Sequence, residues 1–213
     1  MINLMSPQIE EYCIRHSTRP SSLAKELQEY TLANIHGSQM LIGEMEASVL
    51  ASLMKLARTK TVVEFGTYTG YSALIMAEQL PADGKLFTID INKETTILAQ
   101  TFWDRSAHGK KIVQILKTGL DAMKELTDKY DLIFIDADKA NYSNYLKWSL
   151  DHLSERGMIV VDNTLWSGKV LNPEADDKQT KAICDHNQMA ASLVGYTKTL
   201  LPIRDGMFLI QKG

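Results

Sequence analysis

An α/β fold, with a mostly parallel sheet and helices on both of its faces, is predicted by three features of this sequence. From Thr61 onward, short apolar and β-branched runs alternate with helical stretches, the pattern of repeated βα units. Two of the runs, Leu132 to Ile135 and Met158 to Val161, end abruptly in acid or amide residues: Asp136 and Asp138 after the first, Asp162 and Asn163 after the second. Continuous apolar runs of this kind read as strands buried on both faces. Between them Tyr142, Tyr145, Leu146, Ser149, Leu150 and Leu153 keep a helical period. The result is a strand, helix, strand unit whose right-handed crossover sets its two strands side by side.

Taken in order, residues 1–43 read as a helical preface and 44–213 as the core of a single domain. Ser6-Pro7 can start one helix, and Pro20-Ser21-Ser22 a second that carries Leu23, Leu27 and Tyr30 on one face. His36-Gly37-Ser38 breaks the pattern. A helix from about Glu44 to Ala57 follows, with Met45, Val49, Leu53 and Leu56 in phase. T-V-V-E-F is the first strand, G-T-Y-T-G a glycine-bounded loop, and Tyr71 to Leu80 a helix of good formers. Pro81 to Gly84 is a turn, and K-L-F-T-I-D-I a strand ending at Asp90. Asn92 is placed to cap the helix that carries Leu98 and Phe102. K-I-V-Q-I-L-K is a third strand, and Gly119 to Asp128 a short helix before the central unit. After Trp166-Ser167-Gly168 the chain turns polar, then Lys178 to Val194 reads as a helix. The ending reads as two strands about a tight Arg204-Asp205-Gly206 turn, an antiparallel hairpin closing the sheet. Pro202, without an amide hydrogen, belongs at a strand end.

The composition narrows the function. With 213 residues, 45% hydrophobic and 23% charged, the chain can fill one core, and one domain is expected. A net charge of -3 without long basic runs gives no footprint for nucleic acid or an anionic membrane, so a small-molecule ligand is favoured. Cys13 and Cys184 lie far apart without metal-ligand spacing and read as free thiols. His16, His36, His108, His152 and His186 form no ligand-spaced pair, which argues against a histidine zinc site. No leader pattern and no bilayer-length apolar run is visible, so a soluble, cytoplasmic protein is expected.

Ligands of open α/β sheets bind outside the carboxyl ends of the strands. Asp136, Asp162 and Asn163 converge there as three oxygen donors, a seat for a hard divalent cation. The bland alternative is that these residues only make turns. Lys139, in the same loop, is the candidate general base; otherwise it is a solvated lysine balancing Asp136 and Asp138. At the first βα junction, Gly66 and Gly70 let backbone amides approach a ligand, and the helix N-terminus that follows favours a negative group. Their spacing is not that of the dinucleotide fingerprint, which disfavours a nicotinamide cofactor. Asp90 is placed to accept from ribose hydroxyls. Met40 and Trp166 can wall a flat aromatic substrate, or can be plain packing.

These stretches resemble the cation-dependent class I O-methyltransferases, the group of the caffeoyl-CoA and, more distantly, catechol O-methyltransferases and their bacterial relatives. The likeness runs from about Met40 to Lys212 and rests on E-F-G-T-Y-T-G-Y-S, I-D-A-D-K-A-N-Y and V-D-N-T-L-W-S-G-K-V. It implies a Rossmann-like seven-stranded sheet with a reversed last strand, and S-adenosylmethionine as methyl donor. It further implies a divalent cation, with magnesium expected and manganese or calcium as alternatives, and a homodimer. By motif position it implies that Asp136, Asp162 and Asn163 hold the metal and that Lys139 is the base. Glu64, Gly66, Tyr68 and Ser72 would contact the methionine part of the donor, and Asp90 the ribose. Gly119 and Leu120 would border the adenine, with Asp138 and Tyr145 completing the donor pocket. The acceptor implied is a vicinal aromatic diol of catechol or caffeoyl type. Departures from the pattern in two stretches, Glu44 for a proline and Ala47 for a glycine in M-L-I-G-E-M-E-A and Arg204 for the glycine of P-I-G-D-G, fall where the family shapes its acceptor site. The alternative reading is a donor- or nucleotide-binding protein of the same fold without catalysis.

Overall fold

The computed structural model of the chain describes residues 6–213. Two helices come first: α1 (Pro7–Arg15), whose first turn is capped by the Ser6 hydroxyl, and α2 (Ser22–Asn34), capped by Ser21. Both starts fall where the proline and serine signals predict them. Helix α3 (Glu44–Ala57) leads into strand β1 (Thr61–Phe65), and α4 (Tyr71–Gln79), β2 (Lys85–Asp90), α5 (Lys93–Trp103) and β3 (Ile112–Leu116) follow in alternation. Asn92 caps α5 as predicted, its side-chain oxygen accepting from the amides of Glu94 and Thr95 at 3.0 and 3.3 Å. The one-turn helix α6 (Gly119–Ala122), strand β4 (Tyr130–Ile135), helix α7 (Tyr142–His152) and strand β5 (Leu153–Val161) form the central unit. Helix α8 (Lys178–Ser192) and the hairpin β6 (Tyr196–Leu201) and β7 (Met207–Lys212) complete the chain.

The seven strands lie in the order β3-β2-β1-β4-β5-β7-β6. Strands β1 to β5 pair in parallel, whereas β7 runs antiparallel to both β5 and β6. The reversed strand is therefore the last in sequence but not the edge of the sheet. Alternate residues of each strand feed two cores. Val62, Leu132, Phe134 and Val160 face α2 to α5, while Val63, Ile133, Ile135 and Ile159 face α7 and α8. Among the described residues no helix is long and apolar enough to cross a membrane.

Three sequence readings are corrected. The buried face of α3 is Glu46, Ala47, Leu50 and Met54, not the Met45, Val49, Leu53, Leu56 row; Leu56 is 82% exposed. Ala47 and Leu50 are small and branched enough to sit close against α4, and that packing sets the helix's rotation. The helix predicted over Gly119 to Asp128 closes after one turn. Leu153, read as the end of α7, instead begins β5, pairing with Tyr130 before the register jumps to Met158 opposite Leu132. Burial of its side chain in the second core satisfies either assignment, so periodicity alone misplaces it.

Helix α2 covers the first βα loop: Leu27 and Ala24 enter the first core, and the Thr31 hydroxyl donates to that of Thr69 at 3.0 Å. Gly70, at φ 81°, closes this loop against Trp103, whose indole N–H donates to the Gly70 carbonyl at 3.1 Å. A Cβ there would stand 2.5 Å from the indole ring. Gly70→Ala combines left-handed strain with overpacking and should cost about 2 kcal/mol or more. Urea unfolding checks this, and a loss below about 0.5 kcal/mol would contradict it.

Candidate active site

The loops at the carboxyl ends of β1 to β5, with residues 36–42 and the β6–β7 turn, enclose a cavity of about 990 Å³. Of the residues assigned above to donor, metal, base or acceptor, all line it except Glu64 and Asp162, which are buried beside it; Gly70 and Ala47 do not line it.

The β1 and β4 ends are joined by close approach. Gly66 has φ 102°, and a Cβ on it would lie 1.9 Å from the Asp136 carbonyl oxygen, so no other residue fits this contact. The Asp136 amide donates to the Phe65 carbonyl at 2.8 Å and the Asp162 amide to that of Ile135 at 3.0 Å. Ladder bonding thus runs past the strand ends and fixes both acids in register.

Asp90 organises the glycine-bounded loop. Its Oδ2 accepts from the amides of Thr67 and Tyr68 at 3.1 and 2.8 Å, and its Oδ1 from that of Asn92 at 2.9 Å. One lone pair of Oδ1 is left to face the cavity. Beneath the loop, Glu64 accepts from Ser72 Oγ at 2.5 Å and Thr88 Oγ1 at 2.6 Å. Complete burial pushes its carboxyl up to about 8, against the opposing pull of these two hydroxyls. On the far wall, Tyr145 stacks on Phe65 with ring centroids 4.6 Å apart and donates to Asp138 Oδ1 at 2.5 Å. Gly119 makes room for it, since a Cβ there would meet the Tyr145 hydroxyl at 2.5 Å.

The acid and amide residues gather around one lysine. Lys139 Nζ donates to Asp136 Oδ1 at 3.1 Å, Asn163 Oδ1 at 2.5 Å and the buried Tyr142 hydroxyl at 2.5 Å. It also lies 5.7 Å from the centre of the Trp166 ring. Asn163 is at φ 57°, a conformation asparagine tolerates better than most residues, and its amide donates to Asp162 Oδ1 at 2.7 Å. Asp162, only 1% exposed, is held well above the usual carboxylate range by burial, then by the charges of Glu46 and Asp136. Among the described residues no three His, Cys, Asp or Glu side chains cage a metal ion by themselves. The oxygen set here is two carboxylates and one amide, a hard-ligand set of the kind magnesium completes with water and substrate.

Two residues at the site escape a sequence reading. Glu46 is buried, its carboxyl pushed up chiefly by desolvation, and Arg204 Nη1 donates to its Oε2 at 3.0 Å. Tyr142 fits a helical period in the sequence and is ambiguous between packing and an aromatic wall for substrate. An acid in the apolar row of a helix was the available signal for Glu46; nothing local marks Tyr142 as a partner of Lys139.

A sequence model of the family described as O-methyltransferase matches residues 14–213. The caffeoyl-CoA O-methyltransferase of Petroselinum crispum is 32% identical over 224 residues, with 98% of this chain and 92% of that protein covered. A catechol O-methyltransferase domain-containing protein of Mus musculus is 30% identical, covering 95% of this chain and 79% of that one. Among solved structures, the O-methyltransferase TomG of Streptomyces achromogenes, determined with SAM, superposes with a TM-score of 0.88 at 22% identity, covering 98% and 99% of the two chains.

Glu64 gives the site a pH signature. Because its folded pKa lies above its ordinary value of 4.5, folding is most favoured below that value and weakens as pH rises through about 8. Glu64→Gln removes this dependence. Stability measured for both proteins across about pH 5 to 8 should show the wild type losing ground to the variant as pH rises; a constant difference would contradict the assignment.

Proposed function

The chain belongs to the O-methyltransferase family, and we propose that this S-adenosylmethionine-dependent O-methyltransferase acts, with a divalent cation, on one hydroxyl of a vicinal aromatic diol. The observation that carries the reading is the meeting of Asp136 and Asn163 oxygens at Lys139 Nζ, above the buried Asp162 and beside the glycine-bounded loop. Charge supports it. Four carboxyl groups, Glu46, Asp136, Asp162 and Asp205, surround two cations, Lys139 and Arg204, which leaves a formal excess of two negative charges. The raised positions of Glu46, Asp162 and Asp205, due first to burial, measure how poorly the protein alone satisfies them. A doubly charged ion relieves that excess.

In this reading Asp136, Asp162 and Asn163 hold the cation. When bound, it lowers the pKa of a hydroxyl beside it and fixes that hydroxyl's direction. The hydroxyl proton would pass to Lys139 in its neutral amine form, steadied by the Tyr142 hydroxyl. The freed oxygen attacks the methyl carbon in line with the sulfur; the carbon–sulfur bond breaks and S-adenosylhomocysteine leaves. Asp90 receives the ribose through its remaining lone pair, Gly119 and Leu120 border the adenine, and Asp138 with Tyr145 closes the donor side. Glu64, buried beside the cavity, acts on the methionine end through Ser72 and the loop it supports. Trp166 and Met40 wall the ring of the acceptor. Most of the rate enhancement then comes from positioning and electrostatics.

The test is methyl transfer from labelled S-adenosylmethionine to a panel of catechols and caffeoyl derivatives, with magnesium and with a chelator. Turnover that the chelator abolishes is expected; chelator-resistant turnover overturns the cation's role. Asp162→Ala should abolish turnover while S-adenosylhomocysteine affinity, read by calorimetry, stays within about threefold. Lys139→Met should lower kcat by about 10²- to 10⁴-fold, the usual worth of a general base; an unchanged kcat removes Lys139 from that role.

A further inference from the structure

The turn between β6 and β7 grips both sides of the cavity mouth. Arg204 stands in it at φ 47°, a left-handed conformation that favours glycine and strains an arginine. Its side chain reaches back across the molecule. Nη1 donates to the Leu41 carbonyl at 2.6 Å and to Glu46 Oε2 at 3.0 Å, and Nη2 to the Gln39 carbonyl at 3.0 Å. Glu46 Oε2 also accepts from the Gly43 amide. One guanidinium and one buried carboxylate therefore hold the strap of residues 37–43, which carries Met40 into the cavity wall. The next two residues hold the opposite side. The Asp205 carboxylate accepts from the Ser167 amide, its carbonyl from that of Leu165 at 2.8 Å, and the Gly206 carbonyl from that of Thr164 at 3.1 Å. This fixes the loop that carries Trp166.

We propose that Arg204, through Glu46, is a positioning residue that clasps the strap to the hairpin turn and so presets the acceptor mouth between Met40 and Trp166. The assignment of this mouth to the acceptor rests on the function proposed above; the clasp itself does not. The chemistry suits the task. Three bonds from a guanidinium, one of them to a carboxylate, hold two carbonyls at the short helical turn over Ser38–Met40. Preorganising the strap lowers the ordering cost of binding an acceptor. The donor half, built on Asp90, Gly66 and Tyr145, makes no bond to Arg204 and does not depend on it.

The test uses the full chain with Arg204→Ala, Arg204→Lys and Glu46→Gln. Amide hydrogen exchange over residues 37–43 should speed up by about tenfold in Arg204→Ala and by less in Arg204→Lys, which keeps the charge but not the fork. Acceptor KM, measured at saturating magnesium, should rise by about tenfold, while S-adenosylhomocysteine affinity stays within about threefold. Glu46→Gln should move the same readouts in the same direction, and adding it to Arg204→Ala should bring little further change, as expected for two members of one interaction. Unchanged exchange in 37–43 overturns the clasp. Faster exchange with donor affinity and acceptor KM weakened equally overturns the positioning role. If Arg204→Ala does not fold, Arg204→Lys and Glu46→Gln carry the same comparison. If no diol is turned over, the exchange data still decide the clasp, and only the acceptor assignment falls.

Discussion

Two acids at the ends of neighbouring parallel strands, Asp162 buried and Asp136 lining the cavity, are the constraint around which the structure is arranged. Asp136 ends β4 and Asp162 ends β5, and ladder bonds to Phe65 and Ile135 keep both in register. Asp162 is almost wholly buried, and burial with nearby like charge drives its carboxyl far from its usual range. A protein does not leave such a cluster uncompensated. Lys139 and Arg204 supply part of the compensation from within the chain, and the oxygen set they leave suits a hard cation.

The rest of the site follows from placing a sulfonium donor next to this cluster. The contact of Gly66 with the Asp136 carbonyl brings the first loop against the acids, at the cost of a backbone conformation only glycine adopts freely. Asp90 uses the two lone pairs of Oδ2 to hold that loop and one of Oδ1 to hold the amide of Asn92, and α2 covers the loop from outside through Thr31. The two faces of the sheet carry separate cores, so the strand ends are fixed from both sides and the cavity rests on a rigid base.

What was legible in the sequence was whatever is local. Strands β4 and β5 were readable because apolar runs stop sharply at polar residues, and the caps at Ser6, Ser21 and Asn92 because capping is a short-range bond. The convergence of Asp136, Asp162 and Asn163 was readable through the handedness of one crossover. What depended on distant packing was not. The face of α3 is chosen by α4 and the sheet, which leaves Leu56 in solvent although it fits the helical period. The Glu46 and Arg204 pair joins residues at opposite ends of the chain; the sequence marked Arg204 as unusual but not what it holds. Glu64, which the resemblance sets against the methionine part of the donor, accepts from Ser72 and Thr88, partners on other elements that no local pattern marks.

The measurement closest to the central claim is anomalous diffraction from crystals grown with manganese and S-adenosylhomocysteine. The account predicts a peak bounded by the carboxylates of Asp136 and Asp162 and the side-chain oxygen of Asn163, with the nucleoside resting between Asp90 and Leu120. A filled donor site with no manganese at those three residues, or with manganese bound only elsewhere, would contradict it.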